Sequence, residues 1–155
     1  MASRSTKVST LAERDYQMLA SFRHSLRRFL SFSETAANDA GLPPQQYQAL
    51  LALKGCPAGG KMTIDDLAGQ LLIRHNSAVG LVNRLEAERL VRRQVERSNR
   101  RKVNLRLTSK GDRVLQRLAT THRAELRRVG PQLRLMLKHL SRGKVAAPRR
   151  QRGSL

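Results

Sequence analysis

Apolar residues at Leu11, Leu19, Phe22, Leu26 and Phe29-Leu30 recur at three- and four-residue intervals. That spacing lines one face of a helix and predicts a long one, from about Thr10 to Asp39. Gly41 and the Pro43-Pro44 pair end it, and the second proline suits the first turn of the next helix, where a missing N–H costs no hydrogen bond. This second helix runs through YQALLALK to about Lys54, and the loop GCPAGGK breaks the pattern. Thr63 then offers a side-chain oxygen to the free amides of a short helix, IDDLAGQLL, ending near Ile73, while Asp65 and Asp66 complement its positive end. After a tight turn another helix starts at His75-Asn76, with Ala78, Val79, Val82 and Leu85 on one side and Ser77, Gly80, Asn83 and Arg84 on others. Two short helices so joined form a helix-turn-helix.

From Leu90 the period changes to two. LVRRQV and KVNLRL predict the strands of a hairpin, with Val103, Leu105 and Leu107 facing inward and Asn104 and Arg106 outward. Thr108 opens a last helical region whose apolar residues Val114, Leu115, Leu118, Leu126 and Val129 keep helical spacing until Gly130-Pro131 interrupts. A final short helix, QLRLMLKHL, carries Leu133, Met136, Leu137 and Leu140. The basic segment from Ser141 to Leu155 contains Pro and Gly and predicts a disordered tail. The fold class expected is mainly α with one small β-hairpin, in a chain without internal repeats.

Charge changes the picture from a helical domain to a polyanion-binding one. The 155 residues hold 31 Lys+Arg against 11 Asp+Glu, a net charge of +20, which calls for a partner such as nucleic acid or an anionic surface. Five aromatic side chains, Tyr16, Tyr47, Phe22, Phe29 and Phe32, supply few stacking platforms for single-stranded bases, so duplex is the expected nucleic acid. No run of about 18 apolar residues and no apolar leader in MASRSTKVST is present, which predicts a soluble, cytoplasmic protein without a membrane partner. Cys56 is the only cysteine, and His24, His75, His122 and His139 are widely spaced, so no disulfide, metal site or cofactor is expected. With no glycine-rich phosphate loop, nucleophile elbow or spaced carboxylate pair, the sequence predicts recognition rather than catalysis.

A helix-turn-helix followed at once by a basic hairpin is a winged helix, whose second helix enters the major groove while the hairpin tip lies along the backbone or minor groove. Residues 62 to 111, with the stretch IDDLAGQLLIRHNSAVGLVNRLEAERLVRRQVERSNRRKVNLRLTSKG, resemble the core of the MarR (multiple antibiotic resistance regulator) family. Members usually show a leucine-arginine-leucine-glutamate end to the recognition helix, a DRR-type wing and an LTxxG start to the next helix. The resemblance implies a homodimer that binds double-stranded DNA at an imperfect palindrome and represses transcription, with release by a small aromatic or phenolic ligand. It also implies an N-terminal dimerisation helix over 1–40, the winged helix over 42–108 and C-terminal dimerisation helices over 109–140. An inducer pocket would lie between the dimer helices and the winged helix. In the recognition helix Asn76 and Ser77 best fit base contacts, Asn83 a further major-groove contact, and Arg84 a phosphate or the wing, while Gly80 and Leu81 match neighbouring positions. Arg100 and Arg101 match the wing arginines, with Arg101 the one that enters the minor groove, and Arg97 adds to them. His75 is a candidate for a phosphate.

Two departures from the family pattern stand out. Asn99 replaces the wing aspartate, so the loop loses a carboxylate that could orient an arginine and becomes more positive. Arg89 replaces the glycine that ends the recognition helix, at a cost of about 1 kcal/mol if the site needs a left-handed backbone. Cysteine oxidation switches some relatives, but Cys56, ahead of Pro57 in the loop after the second helix, reads first as a small apolar group and only second as a redox site. The histidines read as surface or interface groups. The rivals to a sequence-specific regulator are a nonspecific DNA-coating protein of the nucleoid type and a winged-helix module that binds protein or RNA.

Overall fold

A computed structural model describes residues 11–57 and 61–142; the expected basic tail lies outside these residues except for its first two positions, as does the start of the first predicted helix. Helix α1, Glu13–Asp39, begins where the Asp15 carboxylate accepts the Ala12 N–H at 3.0 Å. It stops where Gly41 takes φ of 74°, a left-handed conformation that costs glycine little. Helix α2, Pro44–Lys54, opens on its proline, as the sequence predicts. Helix α3, Ile64–Leu71, and helix α4, His75–Ala87, are the two arms of the helix-turn-helix. Thr63 and Asp66 cap α3 reciprocally: the Thr63 oxygen accepts the Asp66 N–H at 3.2 Å, and the Thr63 N–H and hydroxyl both donate to Asp66 Oδ2 at 2.9 Å.

Helices α2, α3 and α4 close over a core in which Leu50, Leu67, Leu81, Val82, Leu85 and Leu105 are fully buried. Leu81 thus belongs to the inner face of α4. Strands β1, Val91–Val95, and β2, Val103–Leu107, pair antiparallel from Val91 opposite Leu107 to Val95 opposite Val103. On its other edge β2 receives the backbone of Met62, whose carbonyl accepts the Leu105 N–H at 2.7 Å. This third pairing corrects one expectation. Asn104, predicted to face outward by strict alternation, is buried to 4% exposure, because the Lys61-Met62 segment and Glu96 cover the face on which it lies. The Asn104 side chain hydrogen-bonds Glu96.

A second correction concerns the C-terminal region. Instead of two helices separated at Gly130-Pro131, a single helix α5 runs from Ser109 to Leu140 with Pro131 inside it. The proline deletes one backbone bond, to the Arg127 carbonyl, and crowds that carbonyl, at a cost of about 3 kcal/mol. Packing against α1 carries the helix through: Met136 is buried and His139 Nε2 lies 3.2 Å from Asp15 Oδ1. The start of α5 is fixed as firmly. Thr108 Oγ1 accepts the Gly111 N–H at 3.0 Å, and its hydroxyl donates to Arg89 O at 2.7 Å. A Cβ on Gly111 would sit 2.1 Å from the Leu90 carbonyl oxygen, so only glycine fits this crossing.

The histidines divide unlike the sequence expectation. His122 is buried, not a surface group: its ring stacks on Tyr47 at 4.4 Å between centroids, with Phe29 and Phe32 edge-on. Its Nδ1 meets Leu118 O at 2.6 Å and its Nε2 meets Ser33 O at 3.3 Å. Three of the chain's five aromatic rings therefore build the junction of α1, α2 and α5.

Candidate nucleic-acid interface

Helix α4 buries Ala78, Leu81, Val82 and Leu85, which fixes its rotation about its own axis. Asn76, Ser77, Asn83 and Arg84 are exposed on the opposite side, and Gly80 is half-buried among them. This face is therefore small and polar, with one cation. A Cβ at Gly80 would lie 3.6 Å from Arg84 Nη1, an ordinary contact, so Arg84 lies alongside this position without needing a glycine there. Neither Asn76 nor Ser77 hydrogen-bonds through its side chain to any described residue. His75, read from sequence as a phosphate ligand, has its Nδ1 2.5 Å from Asp65 Oδ1. The imidazole is thus partly committed to α3.

The wing tip owes its shape to Asn99. Its side-chain oxygen accepts the Arg101 N–H at 3.1 Å and its carbonyl accepts the Lys102 N–H at 2.9 Å. Glu96 N–H closes the hairpin on Lys102 O at 2.9 Å. An amide suffices for this turn, since the partner is a backbone N–H and not a guanidinium. Arg97, Arg100 and Arg101 are exposed, and among the described residues none of their guanidinium groups meets a carboxylate or another acceptor. The wing's own carboxylate is already taken: Glu96 accepts from Lys61 Nζ at 2.7 Å, with Lys102 Nζ at 4.0 Å, and the Lys61 hydrogen bond holds its carboxyl below the usual range.

Two contacts escaped the sequence reading. Arg93, read only as a strand residue, reaches from β1 to α4 and bonds both Glu86 and Asn83. Gln46, 2% exposed on α2, donates to Glu88 Oε1 at 2.9 Å, while Lys110 Nζ donates to Glu88 O at 2.9 Å. Together they tie the end of α4 to α2 and α5. Only the seven-residue interval between Glu86 and Arg93, straddling a helix end, hinted at the first pair; nothing in the pattern hinted at the second.

Cys56 lies half-buried beside the core, its Sγ 3.5 Å from the Lys61 carbonyl that it faces. Between the C-terminal end of α1, the first half of α5 and the turn after α4 lies a cavity of about 710 Å³. Phe32, Leu42, Leu90 and Leu118 line it, with Lys110 and Arg117 among its polar residues. Among the described residues no group of three or more His, Cys, Asp or Glu could hold a metal ion, and no helix is long and apolar enough to cross a membrane.

An α-helical chain with a helix-turn-helix, a two-stranded basic wing and long flanking helices is a winged-helix protein of the type that pairs one recognition helix with one wing. Residues 40–102 match the sequence profile of the MarR family. It is 27% identical over 107 residues, 69% of this chain and 71% of the relative, to the uncharacterized HTH-type transcriptional regulator YsmB of Bacillus subtilis (strain 168). Its fold is shared with a MarR family protein from Bacillus stearothermophilus at TM-score 0.68 and 20% identity, covering 86% of this chain and 100% of that one. A mutant of S. aureus MepR bound to an oligodeoxyribonucleotide has the same fold at TM-score 0.60 and 20% identity, over 81% of this chain and 93% of that one.

Proposed function

We propose that this protein is a homodimeric transcriptional regulator that binds duplex DNA at an imperfect palindrome and is released by a small ligand. The observation that carries the reading is the combination of an outward α4 face that presents Asn76, Ser77, Asn83 and Arg84 and three wing arginines with no partner among the described residues. Asn76, Ser77, Asn83 and Arg84 would meet the major groove, and Arg97, Arg100 and Arg101 the phosphates or minor groove beside it. His75, tied to Asp65, would contribute a phosphate contact through its other ring nitrogen. The MepR mutant's bound oligodeoxyribonucleotide supports this use of the fold.

Homodimerisation has its support in α1 and α5, which leave Tyr16, Leu19, Leu26, Leu30, Leu126 and Leu137 at 38–54% exposure. Two-fold pairing would set the recognition helices one DNA turn apart, roughly 34 Å. A small aromatic or phenolic ligand fits the cavity between α1 and α5, where Phe32 and Leu118 offer apolar walls and Lys110 and Arg117 offer counter-charge. Such a ligand acts as an inducer only through unequal affinity for the DNA-bound and free arrangements. Repression is the mode of action proposed.

Competition binding at two salt concentrations tests the regulator against the coating protein. A regulator prefers one palindromic site over random duplex by roughly 10³-fold or more, and that ratio persists as salt weakens both. Equal affinity for all duplexes would make the chain a DNA-coating protein, and binding to RNA in preference to duplex would make it a module of the other kind.

A further inference from the structure

Asn83 and Glu86 lie three residues apart on α4 and so share one side of it. Arg93 of β1 meets both. Its backbone N–H donates to Glu86 Oε1 at 3.0 Å, its Nη1 donates to the Glu86 carboxylate, and its Nη2 donates to Asn83 Oδ1 at 2.9 Å. Anchored to Glu86 through its backbone and through one guanidinium nitrogen, Arg93 is held in place before its Nη2 reaches Asn83. A guanidinium carries donors and no acceptor, so the amide has one admissible rotation: oxygen toward Arg93, NH2 away from it. No described residue accepts a hydrogen bond from that NH2.

The consequence is chemical. A free asparagine presents oxygen and NH2 side by side and pairs with adenine through N7 and N6 at once. An asparagine whose oxygen is turned to Arg93, with one of its two lone pairs engaged, presents chiefly its NH2 donors to the groove. We propose that Arg93 is a positioning residue that biases Asn83 toward donating, selecting base edges that offer acceptors without an adjacent donor, guanine (O6 and N7) or thymine (O4), over adenine. This rests on the proposed function, since it requires α4 to lie in the major groove. The wing strand thereby sets the chemistry of a position on the recognition helix, through Arg93 and without touching the base.

Selection of duplexes from a randomised pool by the full chain and by three variants tests this. Asn83→Ala, at an exposed site, locates the base pair that Asn83 reads by losing roughly tenfold preference there while other positions hold. At that pair the wild type selects guanine or thymine on the contacted strand. Arg93→Met, which keeps the length and apolar stem but removes the donors, raises adenine at that pair alone; Arg93→Lys, which keeps a single donor, retains the wild-type choice. Adenine in the wild-type selection, or an Asn83→Ala profile identical to wild type, would overturn the inference and leave the regulator standing. An Arg93→Met profile identical to wild type would overturn it too; should that variant fail to fold, adenine at the Asn83 pair in the wild-type selection would still do so. A wild-type pool with no enriched sequence would overturn the regulator reading and this inference together.

Discussion

Arg89 takes a left-handed backbone, with φ of 59°, directly after the C-terminal residue of the recognition-helix turn. An arginine Cβ crowds the carbonyl in that conformation where glycine does not. The backbone holds because its surroundings insist on it: Arg89 N–H reaches Glu86 O at 2.9 Å, Leu90 N–H reaches Leu85 O at 2.8 Å, and the Thr108 hydroxyl grips Arg89 O. Arg89→Gly should therefore stabilise the fold by about 1 kcal/mol, read as a rise of about 3 °C in the unfolding midpoint. An unchanged midpoint would show that the arginine stem regains in contacts what its backbone loses. This residue was legible in the sequence, because a family position that calls for glycine and holds arginine announces its own strain. Asn104 was not: alternation puts it on the face opposite Leu105, but whether that face is covered depends on Lys61 and Glu96, which come from segments with no strand pattern there. Asn99 fell between. Its departure from aspartate was visible, but its task, bonding the Arg101 N–H, is a local turn geometry that one residue letter does not disclose.

At the scale of elements, the caps were the most readable features. Thr63 is the cap that the sequence predicts, and Asp66, expected there only as charge at the helix start, also accepts the Thr63 N–H and hydroxyl. The same bonds, to the Thr63 N–H first and the Thr63 hydroxyl second, lower the pKa of Asp66. A carboxyl whose folded pKa is depressed stabilises the fold above its unfolded value, near pH 4, and that contribution disappears as pH falls through the folded value. In thermal unfolding from pH 6 to pH 3, Asp66→Asn should melt below wild type at pH 6, with the gap narrowing below about pH 4. A gap independent of pH would remove the charge from the account. The helix-breaking weight given to Gly130-Pro131 failed for a matching reason: a proline penalty is local, whereas the contacts that offset it come from α1, remote in sequence. The Arg93 bridge, joining a strand to a helix, was hidden in the same way. Cys56 remains what the sequence suggested first, a small group packed beside the core, here with a carbonyl within reach.

For the whole molecule, charge was legible at once and its placement only partly. Of the basic side chains behind the net +20, those of the wing tip and of the length of α5 are exposed, among them Arg113, Arg117, Arg123, Arg127, Arg134 and Lys138. Association with a polyanion is therefore expected to be fast and strongly dependent on ionic strength, whatever the sequence bound. Burial of His122 among Tyr47, Phe29 and Phe32 shows where α2 meets the long helices α1 and α5, a junction that no single segment's periodicity could place. The cavity lies beside the same junction and against Leu90 and Glu88, so an occupant there touches the turn from which β1 and the wing depart.

Pro131 gives α5 a property that its continuous outline conceals. With no N–H at that position, the ladder through these thirty-two residues loses one bond, and the two ends of the helix are expected to open independently. The first half is clamped at Thr108 and His122, the second at Met136 and His139. Amide hydrogen exchange resolved by residue should thus show two plateaus of protection, of different height, meeting in a minimum at residues 128–134. A single level throughout would mean that α5 unfolds as one piece. In the first case α5 is two foldons sharing an axis, and only the half joined to the wing moves with it.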